Sequence, residues 1–261
     1  MYQITGNLVN WVAYFLLVMT RMSALFVISP VFGRANLSGV AKAGLSLLMS
    51  MILVNLTPPG SFEMPGLWEY ALMILTEAIV GLCIGYMTTM FFSIVFVAGQ
   101  IMDMRIGFGM VQVFDVQANA QVPIVGSLFN IVILISFLAS NGHIRLIQIL
   151  FRTFEYIPAG HASFDPNVAM VVVEAFCRYF LLAIAVAMPI TAAGLLAEIS
   201  LGIMVRTAPQ MNVFVVGLPV KIIIGLLMLV LIVPMFVSMT GIVFDTMFAY
   251  IDRLFEGVVP I

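Results

Sequence analysis

Charged side chains are scarce in this 261-residue chain: Asp, Glu, Lys and Arg together make up 8%, against 63% hydrophobic residues. The mean hydropathy is +1.20. A soluble globule of this size needs far more polar surface, so a water-soluble enzyme or binding module is excluded and an integral membrane protein is implied. Basic clusters are absent too: the net charge is -2 and the lysines and arginines are scattered singly, which leaves no footprint for nucleic acid or anionic lipid. Cysteine is limited to Cys83 and Cys177, each inside an apolar stretch, where a thiol behaves as a small buried hydrophobe. His143 and His161 are the two histidines, and no Cys or second His stands at ligand spacing, so no metal site is expected. A phosphate-binding glycine loop, a Walker lysine and a nucleophile elbow are all missing, which argues against a cofactor and against enzymatic function. Met1 to Asn7 contains no Lys or Arg, and the apolar run after it is too long for a signal-peptide core, so the start is expected to be retained.

What the chain does have is apolar length. Blocks run from about Leu8 to Phe32, Val40 to Leu56, Leu67 to Ala98, Val122 to Ser140, Ile144 to Ile157, Val168 to Leu201 and Val213 to Tyr250. Several match the roughly 20 residues of a membrane-spanning helix. Ile144 to Ile157 is too short to cross alone, and the last two blocks are long and interrupted by Pro189, Pro219 and Pro234. The pattern predicts an all-α membrane protein of helical hairpins and kinked or broken helices, the last two blocks reading as hairpins, kinked helices or half-spans. Thr57-Pro58-Pro59-Gly60 ends one helix, and Asp165-Pro166 supplies an N-cap followed by proline in the first turn of another. Arg34 and Lys42 favour the cytoplasm for their loop, the loop of Glu63 lacks basic residues, and Arg105, Arg145, Arg152, Arg206 and Arg253 give no clean alternation.

Polar groups inside these blocks carry most of the functional information, since a charge at membrane depth faces protein or water. Arg21 has two readings: a buried arginine bonded to carbonyls or a partner carboxylate, or a charge lining a pore. Glu77, Gly81 and Gly85 fall four apart on one helix face, and Gly194, Glu198 and Gly202 repeat the arrangement with the acid in the middle. Small residues at that spacing let helices approach closely, so both faces predict packing within hairpins or against other subunits. Glu174 and Arg178 have the spacing and order of a helical ion pair. Asn141-Gly142-His143 reads as a turn and helix start rather than a relay or ligand. Arg206-Thr207-Ala208-Pro209-Gln210-Met211-Asn212 breaks two apolar blocks with groups that hydrocarbon would penalise, and Lys221 follows either beside Glu198 or at the cytoplasmic boundary.

The segment from Gly99 to Gln121 contains Gly107-Phe108-Gly109-Met110-Val111-Gln112-Val113-Phe114-Asp115, mixing flexible glycines with bulky apolar side chains. Irregular backbone cannot face lipid, so the alternatives are a surface loop or the interior of a protein-lined pore, where Met and Phe side chains could seal. The twenty methionines of the chain are suited to ordinary core filling and, within this segment, to a deformable gasket.

The run from Gly194, Glu198 and Gly202 through Pro209-Gln210-Met211-Asn212 to Gly217-Leu218-Pro219-Val220-Lys221 resembles the FliR family of flagellar export-gate proteins and its virulence-secretion relatives. Arg21, the following Ser29-Pro30-Val31-Phe32-Gly33 and the Asn141-Gly142-His143 turn also resemble that family, and the likeness extends from about Arg21 to Lys221. It implies a pore-forming subunit of the flagellar type III export gate in the bacterial inner membrane, at the basal body, passing unfolded flagellar subunits. It further implies partners: FliP and FliQ subunits in a helical complex, FlhB in contact and FlhA nearby. Residues 1–164 would correspond to FliP-like hairpins and residues 165–261 to a FliQ-like hairpin. The Gly-Phe segment, residues 107–122, would help plug the channel, although Val116 stands where the family usually has proline. A virulence-secretion subunit and a secondary transporter are the competing functions; a transporter would use Arg21, Glu77, Glu198 and the broken helices to bind its own solute.

Overall fold

The computed structural model describes residues 2–33, 38–57, 62, 64–109, 122–208, 210, 213–256 and 258–260. Its helices are α1 (Tyr2–Ile28), α2 (Gly39–Leu56), α3 (Leu67–Phe92), α4 (Ile94–Ile106), α5 (Ile124–Ala139), α6 (Gly142–Tyr156), α7 (Asn167–Thr207) and α8 (Val213–Glu256), with strands β1 (Ala162–Phe164) and β2 (Val258–Pro260). Among the described residues, five helical stretches are long and apolar enough to cross a membrane, or six if α5 and α6 share one crossing. The all-α membrane expectation therefore holds, with one addition. β1 and β2 form a short antiparallel ribbon, Ala162 opposite Pro260 and Phe164 opposite Val258. Its three-residue strands are too short to leave a periodicity that can be read in the sequence.

The last two apolar blocks, expected as hairpins, kinked helices or half-spans, are single proline-containing helices of 41 and 44 residues, with Pro189 inside α7 and Pro219 and Pro234 inside α8. At about 1.5 Å per residue each is roughly 60 Å or more long, twice the thickness of a hydrocarbon core. A proline removes one helical hydrogen bond, and in an apolar setting every remaining backbone group still has to pair within the helix, which keeps the helix continuous on either side.

The chain divides into two compact units, each assembled from distant segments: residues Met1–Met90, Asn141–Ala175 and Thr246–Ile261 in the first, Phe91–Ser140 and Phe176–Asp245 in the second. In the first unit, α1 and α3 run parallel. The Tyr70 hydroxyl donates to the Ala13 carbonyl at 2.9 Å and, at the other end, the Thr89 hydroxyl donates to the Ile28 carbonyl at 2.8 Å. Between these ties the helices nearly touch: a Cβ at Gly81 would collide with the Arg21 carbonyl and lie 2.8 Å from the Ala24 Cβ, and one at Gly85 would be 3.2 Å from Ile28. Helix α6 buries Leu146, Ile149, Leu150, Thr153 and Phe154, the three- and four-residue spacing of one helical face. It begins after Asn141, in the turn and helix start expected of Asn141-Gly142-His143, and the φ of 55° at Asn141 makes that turn left-handed. Asp165 starts α7 as anticipated, its Oδ1 accepting from the Asn167 amide at 2.8 Å.

The second unit is built around the α4–α5 hairpin. Gly99 and Gly126 face each other so closely that a Cβ on Gly99 would overlap the Gly126 backbone. Aromatic rings fill the rest: Phe92 and Phe137 meet edge to face at 5.0 Å, and Phe129 stacks on Phe236 of α8 at 4.4 Å. Burial is uneven. The most apolar window of the α3–α4 stretch is 61% buried, against 33% for α7 and 22% for α8. The short helix α2 is as open as α8, its window also 22% buried.

Candidate functional site

Four of the charged groups singled out above fall into two clusters, Arg21 with Glu77 in the first unit and Glu198 with Lys221 in the second. In the first, Arg21 and Glu77 are both fully buried, with Arg21 Nε donating to Glu77 Oε2 at 2.5 Å and Nη2 donating to Oε1 at 2.9 Å. This two-point pairing fits the planar guanidinium to the carboxylate. The remaining donors are used as well: Nη1 reaches the Thr153 hydroxyl at 3.0 Å, and both terminal nitrogens reach the Ile157 carbonyl at 3.2 Å. The Phe154 ring lies 3.9 Å from the guanidinium carbon, a cation–π contact. Glu77 Oε1 also accepts the Gly160 amide at 2.8 Å. Of the two readings of Arg21, the geometry takes the buried one. Ions in an apolar interior are tolerated only when fully partnered, and this pair is.

The cluster works as a fastener. It ties α1, α3, the last turn of α6 and the turn after it, where Gly160 takes φ 86° and sits 3.2 Å (as its Cβ would) from the Met73 sulfur. Gly81 belongs to the same contact, because the α1 carbonyl it faces is that of Arg21. The Glu77-Gly81-Gly85 face therefore packs within the chain. Thr153 and Gly160 were not singled out from the sequence; a threonine and a glycine have too many ordinary uses to be chosen before their neighbours are known.

In the second unit, Glu198 on α7 accepts from Lys221 Nζ on α8 at 2.9 Å and lies 3.7 Å from Arg105 Nη1 at the end of α4. Lys221 is thus beside Glu198, the first of its two alternatives. Gly194 is filled by Arg105, whose Cβ is 3.1 Å from where a glycine Cβ would stand, while Gly202 has nothing within 4 Å of its would-be Cβ among the described residues. The repeated glycine pattern splits: one notch is occupied within the chain and the other is open. Arg206 is exposed in the last turn of α7 and Gln210 is exposed beyond it. Pro209, Met211 and Asn212 lie outside the described residues.

Asp103, which the sequence reading passed over, is the anchor beneath the Gly-Phe segment. It is fully buried on α4, and its carboxylate accepts the amides of Ile124 at 2.6 Å and Val125 at 3.1 Å. Pro123 precedes α5 without a side-chain cap of its own, so Asp103 caps that helix from across the hairpin. The Asp103 carbonyl also accepts the amide of Gly107, whose φ of 103° ends α4 in the left-handed region. Chain leaving at Gly107 and chain returning at Ile124 are therefore held at one residue. Phe108 and Gly109 continue with helical backbone, and Met110, Val111, Gln112, Val113, Phe114 and Asp115 lie outside the described residues.

Elsewhere, the expected Glu174–Arg178 pair is replaced. Glu174 takes Arg253 of α8 at 3.3 Å, because tertiary packing brings that guanidinium to it, and both groups are about half exposed. Cys83 is part-buried and Cys177 exposed, both free.

Comparison with known proteins concerns the chain as a whole. A family model described as bacterial export proteins, family 1, matches residues 12–247. The flagellar biosynthetic protein FliR of Bacillus subtilis is 34% identical over 229 residues, covering 86% of this chain and 88% of the relative. FliR of Escherichia coli is 24% identical over 237 residues, 90% of each chain. The Yop proteins translocation protein T of Yersinia pestis is 30% identical over 220 residues, 82% of this chain and 84% of that protein.

Proposed function

Because this chain belongs to the bacterial export proteins, family 1, we propose that it is a membrane subunit of the flagellar type III protein export gate. In this role it helps form and seal the passage by which unfolded flagellar subunits cross the inner membrane. The family match over residues 12–247 carries the reading. The apolar windows of α7 and α8, 33% and 22% buried within the chain, are open to lipid or to neighbouring subunits alike. FliP and FliQ are the partners we assign to those faces, with FlhB in contact and FlhA nearby, and the basal body is the site of assembly. The division into a FliP-like part, residues 1–164, and a FliQ-like part, residues 165–261, belongs to the same proposal. The chain contributes wall and closure, with no catalytic step.

Within the gate, we assign the closure to residues 107–122. Both ends of that segment are held at Asp103, and glycines flank bulky apolar residues within it. Deleting Met110 to Ala118 is expected to raise ion leak through the assembled gate; unchanged leak with normal assembly rejects the closure role. Deleting the whole gene is expected to abolish secretion of hook and filament subunits into the medium, and secretion at the wild-type level sinks the export reading.

A virulence-secretion subunit is a second reading favoured by one observation, the 30% identity to the Yersinia protein. Complementation of a flagellar and of a virulence null strain separates the two. A solitary carrier has less support: Arg21 and Glu77, two of the three charges it would use, already satisfy each other in a fully buried site. Solute uptake by the purified chain in liposomes would restore it.

A further inference from the structure

Helix α6 buries an apolar face, and its exposed face carries Arg145, Gln148, Arg152 and Glu155 along one stripe. Hydrocarbon would penalise that stripe, so α6 has the build of a helix lying at a membrane interface, with its charges among headgroups or water. The end of α8 has the same character. From Ile222 to Phe244 it has no charged residue, a run of roughly one hydrocarbon thickness, and Asp245, Asp252, Arg253 and Glu256 follow in its last turns. The two elements meet in the first unit, where the Arg145 guanidinium lies 4.3 Å over the Phe248 ring and its charge also reaches Asp252.

Between them is a cavity of about 260 Å³. Arg152 and Tyr156 line it from α6 and Asp252 and Glu256 from α8, all four exposed, with Ile149 and Phe255 buried behind them. The cavity is therefore dipolar, a guanidinium on one wall and two carboxylates on the other, and among the described residues these three charges form no ion pair with each other. It is just under the roughly 300 Å³ at which sites for drug-sized molecules begin, which suits a small headgroup. Thr153 lines it as well, and its hydroxyl accepts from Arg21 at 3.0 Å, so the cavity backs onto the buried ion pair.

We propose that this cavity binds the phosphoethanolamine group of a zwitterionic membrane lipid. Arg152 takes the phosphate, helped by the Tyr156 hydroxyl, and Asp252 and Glu256 accept the N–H donors of the ammonium. The two acids give selectivity. A phosphoglycerol headgroup has no cation to set against them, and a phosphocholine headgroup has no N–H to donate. Free phosphoethanolamine has the same charges but lacks the acyl chains that hold a ligand at the interface. The site requires only that the chain lies in a membrane, so it stands or falls separately from the export reading.

The test uses the full chain purified in detergent, with equal amounts of phosphatidylethanolamine, phosphatidylcholine and phosphatidylglycerol added. Native mass spectrometry is expected to show adducts of the first about tenfold over either of the others, the effect of one charge-assisted hydrogen bond. Arg152→Gln is expected to lower the phosphatidylethanolamine adduct about tenfold. Asp252→Asn combined with Glu256→Gln is expected to abolish the preference and bring phosphatidylglycerol to the same level. Because the preference is a ratio within one sample, it reads the site even where a variant accumulates poorly. Equal adducts of the three lipids on the wild-type chain, or a preference unchanged in both variants, would overturn the site. Free phosphoethanolamine binding as tightly as the lipid would overturn the lipid as its ligand.

Discussion

Replacing Glu77 by methionine isolates the contribution of the buried ion pair. The substitution keeps approximate volume and helix propensity but leaves Arg21 charged, fully buried and without its counter-ion, and it removes the acceptor for the Gly160 amide. Breaking a buried pair in this way costs about 3–5 kcal/mol. An orphaned amide adds about 1–3 kcal/mol. The expected loss is therefore roughly 4–8 kcal/mol, a large fraction of the roughly 5–15 kcal/mol that stabilises an ordinary domain. The double variant Arg21→Met/Glu77→Met behaves differently, because apolar replacement of a whole buried pair is often neutral or stabilising by about 1–4 kcal/mol. Here it still strands the Ile157 carbonyl and the Gly160 amide, so a net loss of about 1–4 kcal/mol is expected, smaller than that of the single change. Denaturant titration of the purified chain in detergent, with wild type, both single variants and the double, forms the required cycle. A Glu77→Met cost below about 1 kcal/mol would show that the pair is effectively solvated, as exposed pairs are, and would refute the fastener.

Gly81→Leu should prevent α1 and α3 from closing and abolish accumulation in the membrane, whereas Gly202→Ala, with open space at its Cβ, should accumulate normally; immunoblotting of membranes compares them. Asp103→Ala removes two acceptors from the start of α5 and is expected to cost about 1–3 kcal/mol. Faster hydrogen exchange at the Ile124 and Val125 amides reads it directly, and unchanged exchange would exclude Asp103 as the cap. Gly107→Ala, at φ 103°, should cost about 1–3 kcal/mol from backbone strain, seen as a lower denaturant midpoint. An unaltered midpoint would mean that α4 does not end there in the left-handed conformation.

Class and the approximate positions of the helices were readable in linear order because apolar length and helix punctuation are local properties, although the break at Ser93 and the run of α4 on to Ile106 were not. Thr57 and Asp165 mark helix ends through their own backbone and side-chain chemistry, and the left-handed turn at Asn141 follows from the tolerance of asparagine for that region. The family likeness drew on the same kind of information, a run of residues between Gly194 and Lys221. Partnerships were not local. Glu174 has a basic residue four positions away and takes one 79 positions away instead. Glu77 presents the same glycine spacing as Glu198, yet one glycine face is filled inside the chain and the other stays half open.

Composition alone made this a membrane protein, since so few charges cannot hydrate a fold of its size, and Thr57 and Asp165 marked a helix end and a helix start, whereas Pro189, Pro219 and Pro234 lie inside helices. Only three-dimensional packing decided which costly groups were neutralised: Arg21 by Glu77, 56 residues on, and the amides at the start of α5 by Asp103 across a hairpin. The reason is that desolvation acts wherever a polar group is buried, but its remedy is a second group at hydrogen-bond distance, and separation along the chain carries no information about that distance.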